Sequence, residues 1–308
     1  MIRAVVRFSV QRYPPLFYLV VISLWGVSLD GMFQVLDGQG LKLSLDLLHV
    51  ALSIFGVGYF MRIVDELRDY DYDRIHNPDR GLAKGDVSFQ DLYVALSVCA
   101  VLLLGTNLAV SWVRALILLG IMGHSLLLWW LEKHSAAYQR SMFLMIGIAI
   151  LLHVGHGLYV WVAHAERTGR PLNPAGLIAV LGLMFLYLHW EVMRKTAWPG
   201  TTKPGVKLYS DEVGSVASSL IAFAMVAGAA GLYLGLTRPW RAETLSQATA
   251  WFFLLPVVLG VLNLVLFFKT RSPRSRSGRL AAMSYFSFLL AMLGHSVAEA
   301  ARTTWLGR

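Results

Sequence analysis

The chain alternates long apolar blocks with short polar connections, and this pattern predicts an all-α protein that crosses a membrane many times. Each block approaches the roughly 20 residues that a helix needs to span the hydrocarbon core. We identify nine spans, at about 16–36, 46–64, 90–112, 115–131, 142–163, 175–193, 214–236, 246–268 and 280–300. No linker separates two soluble regions, so residues 1–308 are expected to form a single transmembrane domain.

Composition agrees with a membrane protein. Of the 308 residues, 56% are hydrophobic and 15% are charged, whereas a soluble domain carries about 25% charged residues. The expected location is an integral, multi-pass position in a membrane, which in a bacterium would be the cytoplasmic membrane. The lone Cys99 lies inside the third span, so we expect it to pack there rather than to form a disulfide.

The net charge of +9 indicates membrane orientation rather than affinity for nucleic acid. With nine spans and a cytoplasmic N-terminus, 19 of the 27 basic residues fall in the cytoplasmic arm and loops, and 8 fall outside. Cytoplasmic loops of membrane proteins carry such an excess of Lys and Arg. The basic loop at 269–279 is expected to mark topology or to contact anionic lipids.

Two of the cytoplasmic loops, at about 66–89 and 194–213, are long and contain Pro and Gly, which favours a role as caps over a binding site. The first is rich in acid: 8 of the 18 acidic residues lie between Asp65 and Asp91. On a helix, Asp65, Asp69 and Asp73 fall at i, i+4 and i+8 and form one stripe. Carboxylates at that spacing repel one another unless cations lie between them.

Ionisable residues at the edge of a membrane span are functional by default. Mg²⁺ takes oxygen ligands and commonly joins a few carboxylates to the phosphates of a substrate. The stripe therefore predicts a Mg²⁺ site for a diphosphate, with a solvated helix end as the alternative. Arg80 and Lys84 follow the stripe, and Arg80 lies in a turn that allows it to fold over a bound diphosphate.

These features resemble the UbiA superfamily of intramembrane prenyltransferases. The first signature of that family is Asn-Asp-x-x-Asp-x-x-x-Asp at the end of the second span, followed by Arg-Pro-Leu-x-x-Gly. The corresponding strings here are Asp65-Glu66-Leu67-Arg68-Asp69-Tyr70-Asp71-Tyr72-Asp73 and Arg80-Gly81-Leu82-Ala83-Lys84-Gly85. Asp69 and Asp73 match the signature, whereas Asp65, Glu66 and Gly81 replace Asn, Asp and Pro.

The second signature of the family, Asp-x-x-x-Asp at the end of the sixth span, aligns with Glu191-Val192-Met193-Arg194-Lys195, so it is degenerate. Gly205-Val206-Lys207 stands where many members have Gly-x-Lys. Lys195 cannot bind Mg²⁺ while it is protonated. It therefore either supplies positive charge directly to a phosphate or pairs with Glu191.

The resemblance implies a nine-helix bundle in which Mg²⁺ ions, held by both acidic motifs, bind the diphosphate. The candidate metal ligands are Asp65, Asp69, Asp73 and Glu191, which with Lys195 are the candidate catalytic residues. The candidate substrate-binding residues are Glu66, Arg80, Lys84, His189, Arg194, Lys207 and Tyr209. For His189 an interhelical hydrogen bond is the simpler expectation, and contact with an acceptor is the alternative.

The implied reaction is ionisation of an allylic prenyl diphosphate and transfer of the prenyl group to a lipophilic, for example aromatic, acceptor. Aromatic faces can stabilise the allylic cation, and candidates in the spans are Phe55, Tyr59, Phe60, Trp129, Trp130, Tyr159, Phe185, Tyr187 and Trp190. The expected partners are a prenyl diphosphate, an acceptor and membrane lipids, without nucleic acid.

Two other functions fit the same residues. A membrane terpene cyclase would use the same diphosphate site without an acceptor. An ion-coupled transporter would use the acids to bind a coupling cation, but carriers usually bind at the midplane of the bilayer, whereas these acids lie at one face.

Overall fold

The computed structural model describes residues 2–202, 206–271 and 274–306, and this part of the chain contains nine helices long and apolar enough to span a membrane. The predicted fold class and number of spans are thereby confirmed. The spanning helices are α2 (Pro15–Leu36), α3 (Leu45–Arg68), α6 (Phe89–Leu108), α7 (Trp112–His134), α9 (Met142–Thr168), α10 (Pro174–Arg194), α11 (Tyr209–Thr237), α13 (Leu255–Thr270) and α14 (Arg274–Leu306).

Short helices connect the spans. They are α1 (Ile2–Arg12), α4 (Tyr70–His76), α5 (Gly81–Lys84), α8 (Ala136–Arg140) and α12 (Leu245–Ala248), with 3₁₀ turns at Pro239–Arg241 and Thr249–Leu254. The apolar pattern did not predict α1, because this helix is amphipathic rather than apolar. Its Phe8 is buried against the bundle while Ile2, Val6 and Val10 are exposed, an arrangement typical of a helix that lies in the membrane interface.

Polar residues fix where the spans begin. The Ser44 hydroxyl accepts a hydrogen bond from the Leu47 amide at the start of α3. Ser88 and Asp91 cap α6 reciprocally, each side chain accepting from the other's backbone amide. Such caps satisfy amides that have no partner inside the helix. Asp91, one of the acidic residues after the second span, therefore has a structural role.

Small residues let the helices of the bundle approach closely. A Cβ atom built on Gly157 of α9 would lie 2.5 Å from Val180 Cγ1 of α10. A Cβ atom on Gly182 of α10 would meet the ring of Tyr233 of α11 at 2.5 Å. Glycine at such positions is typical of close helix packing in membranes.

The first and last spans lie side by side. The Ser28 hydroxyl of α2 donates to the Leu289 carbonyl of α14 at 3.0 Å. The loop after α2 also packs on α14, since the Leu41 amide donates to the Ser296 carbonyl at 3.0 Å. The bundle is thus closed by contact between α2 and α14.

Buried ion pairs join four helices at the end of the bundle where α2 and α9 finish and α3 and α7 begin. Arg114 of α7 is buried and contacts Asp46 at 2.5 Å and Glu166 at 2.7 Å. Arg167 of α9 contacts Asp30 of α2 at 2.6 Å. Removing one partner of such a buried pair is costly, so these contacts fix the relative positions of the helices at this end.

Candidate functional site

The predicted acidic stripe begins on α3 and continues into α4. Asp69 leaves the helical conformation, with φ −83° and ψ 1°, and α4 begins at the next residue. The helical hydrogen bonds nevertheless continue across this residue, because the Asp69 amide donates to the Asp65 carbonyl at 2.9 Å and the Asp73 amide to the Asp69 carbonyl at 2.8 Å. The break therefore preserves the four-residue spacing of the stripe.

The cations between these carboxylates are arginines of the chain itself. Arg68 bridges the first two aspartates, at 3.0 Å from Asp65 and 2.9 Å from Asp69. Arg80 pairs with the buried Asp73 and lies 4.0 Å from Asp69. The two guanidinium groups thus compensate the repulsion that the spacing of the stripe implies.

Glu66 is buried and holds two further arginines. The Nε atom of Arg12 and an Nη atom of Arg62 both lie 3.0 Å from the same carboxylate oxygen. Arg12 is the last residue of α1, so this cluster ties the amphipathic helix to α3. Neither arginine was a candidate in the sequence. The ion pair between Arg62 and Glu66 is nevertheless predictable, because the two residues stand at i and i+4 on one helix.

The second motif has the same composition of one buried acid and two cations. Glu191 of α10 accepts from Arg194 Nε at 2.6 Å and lies 2.8 Å from Lys195 Nζ. The sequence left two roles open for Lys195, and the structure shows one of them, the pairing with Glu191. Asp65 of α3 and Trp190, the residue before Glu191 on α10, line the same cavity, so the structure brings the ends of α3 and α10 to one charged site.

A cavity of about 490 Å³ lies beneath these charges. Arg62 and Asp65 of α3 are its charged lining residues, and Tyr187 and Trp190 of α10 also line it. Asp65 keeps 40% of its side chain exposed, and it lines this cavity. A volume of several hundred Å³ with few polar groups is typical of a ligand pocket.

The cavity continues towards the middle of the bundle. A deeper space of about 180 Å³ adds Trp25, Ile54 and His156 and shares with the first cavity the residues Val21, Ile22, Gly58, Met61, His153 and Tyr285. The His153 ring stacks on Tyr187, with 3.5 Å between centroids, and within the described part of the chain its Nδ1 atom has no hydrogen-bond partner. The path therefore leads from a charged mouth to an aromatic interior.

Two of the aromatic candidates, Tyr187 and Trp190, line the cavity, whereas Phe60 and Tyr159 are buried in the hydrophobic core. Five aromatic residues that were not candidates in the sequence also form the wall, namely Tyr13, Phe17, Tyr18, Tyr285 and Phe286. Tyr13 lies just before α2, Phe17 and Tyr18 lie at the start of α2, and the other two belong to α14. Only the contact between α2 and α14 reveals that they share one wall.

Four predicted substrate-binding residues lie around the charged site and stand outside the linings of both cavities described above. His189 is buried, and its Nδ1 atom bonds to the Ala222 carbonyl of α11 at 2.8 Å. Tyr209 is buried against Phe143, with ring centroids 5.1 Å apart. The two lysines are exposed and paired, Lys84 with Asp86 at 3.4 Å and Lys207 with Glu132 at 3.7 Å. Lys203, Pro204 and Gly205 of the 194–213 loop lie outside the described residues.

The carboxylates as placed do not fit the magnesium centre that the resemblance implies. Mg²⁺ needs several oxygen ligands around one point, and in the described part of the chain no three His, Cys, Asp or Glu side chains converge in that way. Asp65, Asp69, Asp73 and Glu191 each contact an arginine or a lysine instead. The predicted role of Mg²⁺ stays a prediction.

The architecture is similar to that of solved structures. The apo structure of a UbiA homolog from Aeropyrum pernix K1 matches with a TM-score of 0.60 and 13% sequence identity, over 91% of this chain and 98% of that chain. The chain has the UbiA fold. A structure of digeranylgeranylglyceryl phosphate synthase matches with a TM-score of 0.55 and 17% identity, over 92% of this chain and 98% of that one.

The predicted resemblance to the UbiA superfamily is thus confirmed at the level of the fold. The sequence matches no protein-family model and no curated protein. The UbiA fold and the apolar character of the nine described spans identify the chain as an integral, multi-pass membrane protein.

Proposed function

We propose that this chain is an intramembrane prenyltransferase. The observation that carries the proposal is the cavity of about 490 Å³ that begins at Arg62 and Asp65 and continues between aromatic side chains into the bundle. A prenyl diphosphate has the matching distribution of chemistry, with an anionic headgroup at one end and an apolar tail at the other. The UbiA fold, which the solved UbiA homolog shares, supports this assignment.

The headgroup would bind at the ends of α3 and α10, where Arg62, Arg68, Arg194 and Lys195 lie. The isoprenoid tail would lie in the cavity among residues of α2, α3, α9, α10 and α14. By the charge distribution of the loops, we propose that this end of the bundle faces the cytoplasm.

In the proposed reaction, the allylic C–O bond breaks heterolytically and its electron pair leaves on the diphosphate oxygen. Cationic side chains at the mouth stabilise that developing charge, which is an electrostatic contribution to catalysis. The faces of Tyr187, Trp190 and Tyr285 stabilise the allylic cation, and the apolar wall keeps water from it. A nucleophilic atom of the acceptor then forms the new bond to carbon and loses its proton. The departing diphosphate is a basic anion near the reacting carbon, and it takes this proton.

The test is turnover by the purified protein in lipid nanodiscs. Geranyl, farnesyl and geranylgeranyl diphosphates are supplied separately, with and without a set of phenolic and quinol acceptors, and both diphosphate release and the organic product are measured. We expect release that depends on an acceptor and yields a prenylated product. Trp190→Ala should reduce this turnover, whereas Lys133→Gln, which removes an exposed cation stacked on Trp129, should leave it unchanged.

Other outcomes would change the assignment. A terpene hydrocarbon or alcohol formed at high turnover without an acceptor would identify a cyclase. Absence of diphosphate release for every chain length, combined with ion flux that depends on Asp69 and Asp73, would identify a transporter.

A further inference from the structure

The charged end of the bundle contains two trios, each with one buried carboxylate and two cations. In the first, Glu66 is shared by Arg12 and Arg62. In the second, Glu191 is shared by Arg194 and Lys195. Each trio carries one positive charge in excess of its carboxylate. The stripe of Asp65, Asp69 and Asp73 with Arg68 and Arg80 carries one negative charge in excess, so the whole cluster has a net charge of about +1 and its positive charge is concentrated in the two trios.

Arg62 and Lys195 keep the capacity to bind a further anion. A guanidinium group has five N–H donors and an ammonium group has three, and the pairs of Arg62 with Glu66 and of Lys195 with Glu191 use only part of them. The Arg62 side chain lines the cavity, and its buried Nε atom has no hydrogen-bond partner among the described residues. Lys195 keeps 28% of its side chain exposed and pairs with Glu191, the residue after Trp190 of the cavity wall. The first trio thus offers a donor in the cavity wall, and the second offers one next to that wall.

The places between the carboxylates of the stripe are also filled. Arg68 lies between Asp65 and Asp69, and Arg80 lies between Asp69 and Asp73. A metal ion bridging these carboxylates would have to displace the contacts that both arginines make with them and leave two guanidinium groups next to a dication. Like charges at such short distances repel strongly. The aspartates therefore position the arginines by ion pairing.

Resting on the proposed function, we infer that this chain binds the diphosphate of its substrate directly through guanidinium and ammonium groups, without Mg²⁺ as an obligatory bridge. Arg62 and Lys195 contact the headgroup at the mouth, and Arg68 and Arg80 extend the positive surface along α3 and α4. Arginine is suited to this role because its planar fork matches the geometry of phosphate oxygens. When the allylic C–O bond breaks, the same side chains carry the charge of the departing diphosphate.

The inference is tested by binding rather than by turnover. Purified full-length protein in nanodiscs is equilibrated with radiolabelled inorganic pyrophosphate or geranylgeranyl diphosphate, once in EDTA and once in MgCl₂, with empty nanodiscs as the blank. We expect both probes to bind in EDTA with a Kd similar to that in MgCl₂. Binding that requires MgCl₂ would overturn the inference while leaving the proposed function intact. Binding of neither probe under either condition would refute the proposed function itself.

Two variants show whether Lys195 contacts the headgroup. Loss of a charge-assisted contact is expected to weaken binding in EDTA by about 10- to 100-fold, and this should hold for both Lys195→Gln and Lys195→Asp. In Lys195→Gln, Arg194 still pairs with Glu191, so this variant should fold even if Lys195→Asp does not. Lys133→Gln removes the same charge from an exposed position in the last turn of α7 and should bind like the unmodified protein. Binding in EDTA that is unchanged by Lys195→Gln would contradict the inference.

Discussion

Replacing Asp73 by Asn should loosen the segment between α3 and α6 without unfolding the bundle. The Asp73 carboxylate is 2% exposed, pairs with Arg80 and accepts from the Asn77 side chain at 2.9 Å. It therefore ties α4 to the residue that precedes α5. In Asp73→Asn, Arg80 keeps only a carboxylate at 4.0 Å, that of Asp69.

The magnitude follows from burial. Breaking a fully buried ion pair costs about 3–5 kcal/mol, and a hydrogen bond to a charged group contributes about 1.5–3 kcal/mol. Because the Arg80 side chain is 28% exposed, water recovers part of the loss. We expect local opening of residues 73–86 to become easier by about 2 kcal/mol, which corresponds to roughly 30-fold faster amide exchange.

The assay is hydrogen–deuterium exchange with peptide-resolved mass spectrometry, and peptides from α9 serve as an internal reference that should not change. The matched control is Lys84→Gln in the same segment, whose pair with Asp86 spans 3.4 Å and whose lysine is 58% exposed. A surface pair is worth at most about 1 kcal/mol, so the control should change exchange by no more than about fivefold. Equal effects of Asp73→Asn and Lys84→Gln would refute the idea that the buried pair holds Arg80 in place.

Two further predictions concern packing and the cavity. Gly157→Ala should destabilise the protein by about 1–3 kcal/mol, because the new methyl group meets Val180. Gly147→Ala is the control and should not destabilise it, because there is open space around its Cβ position. Thermal unfolding of both variants in the same detergent measures the difference. Val21→Trp should weaken binding of geranylgeranyl diphosphate by at least about tenfold by filling the cavity. Inorganic pyrophosphate should bind to Val21→Trp as it binds to the unmodified protein. Val20→Trp, at an exposed position, should change the binding of neither probe. If Val21→Trp and Val20→Trp bound geranylgeranyl diphosphate with equal affinity, the tail would bind elsewhere.

Most of the fold is readable from the sequence because the bilayer leaves few choices. A span must be apolar and helical along its length, so apolar blocks alone locate helices such as α9, predicted at 142–163 and observed at Met142–Thr168. The amphipathic α1 escapes this reasoning, since only part of its surface is apolar. The ion pairs of Arg114 escape it as well, because they join residues from three different helices.

The candidate site is likewise only partly predictable from the sequence. Spacing along one helix reveals Asp65, Asp69 and the pairing of Lys195 with Glu191, because residues four apart share a helix face. The contact between Arg12 and Glu66 spans 54 residues and depends on how α1 packs. The aromatic wall from Tyr285 is equally hidden, since it follows from the docking of α14 on α2.

That docking has a consequence for biogenesis. Ala282, Tyr285 and Phe286 complete the cavity wall, yet they are translated after the other eight described spans. Until α14 inserts beside α2, a nascent chain holds both charged motifs but lacks this part of the cavity wall. Cotranslational assembly therefore completes the cavity last, and with it any binding of the proposed substrate.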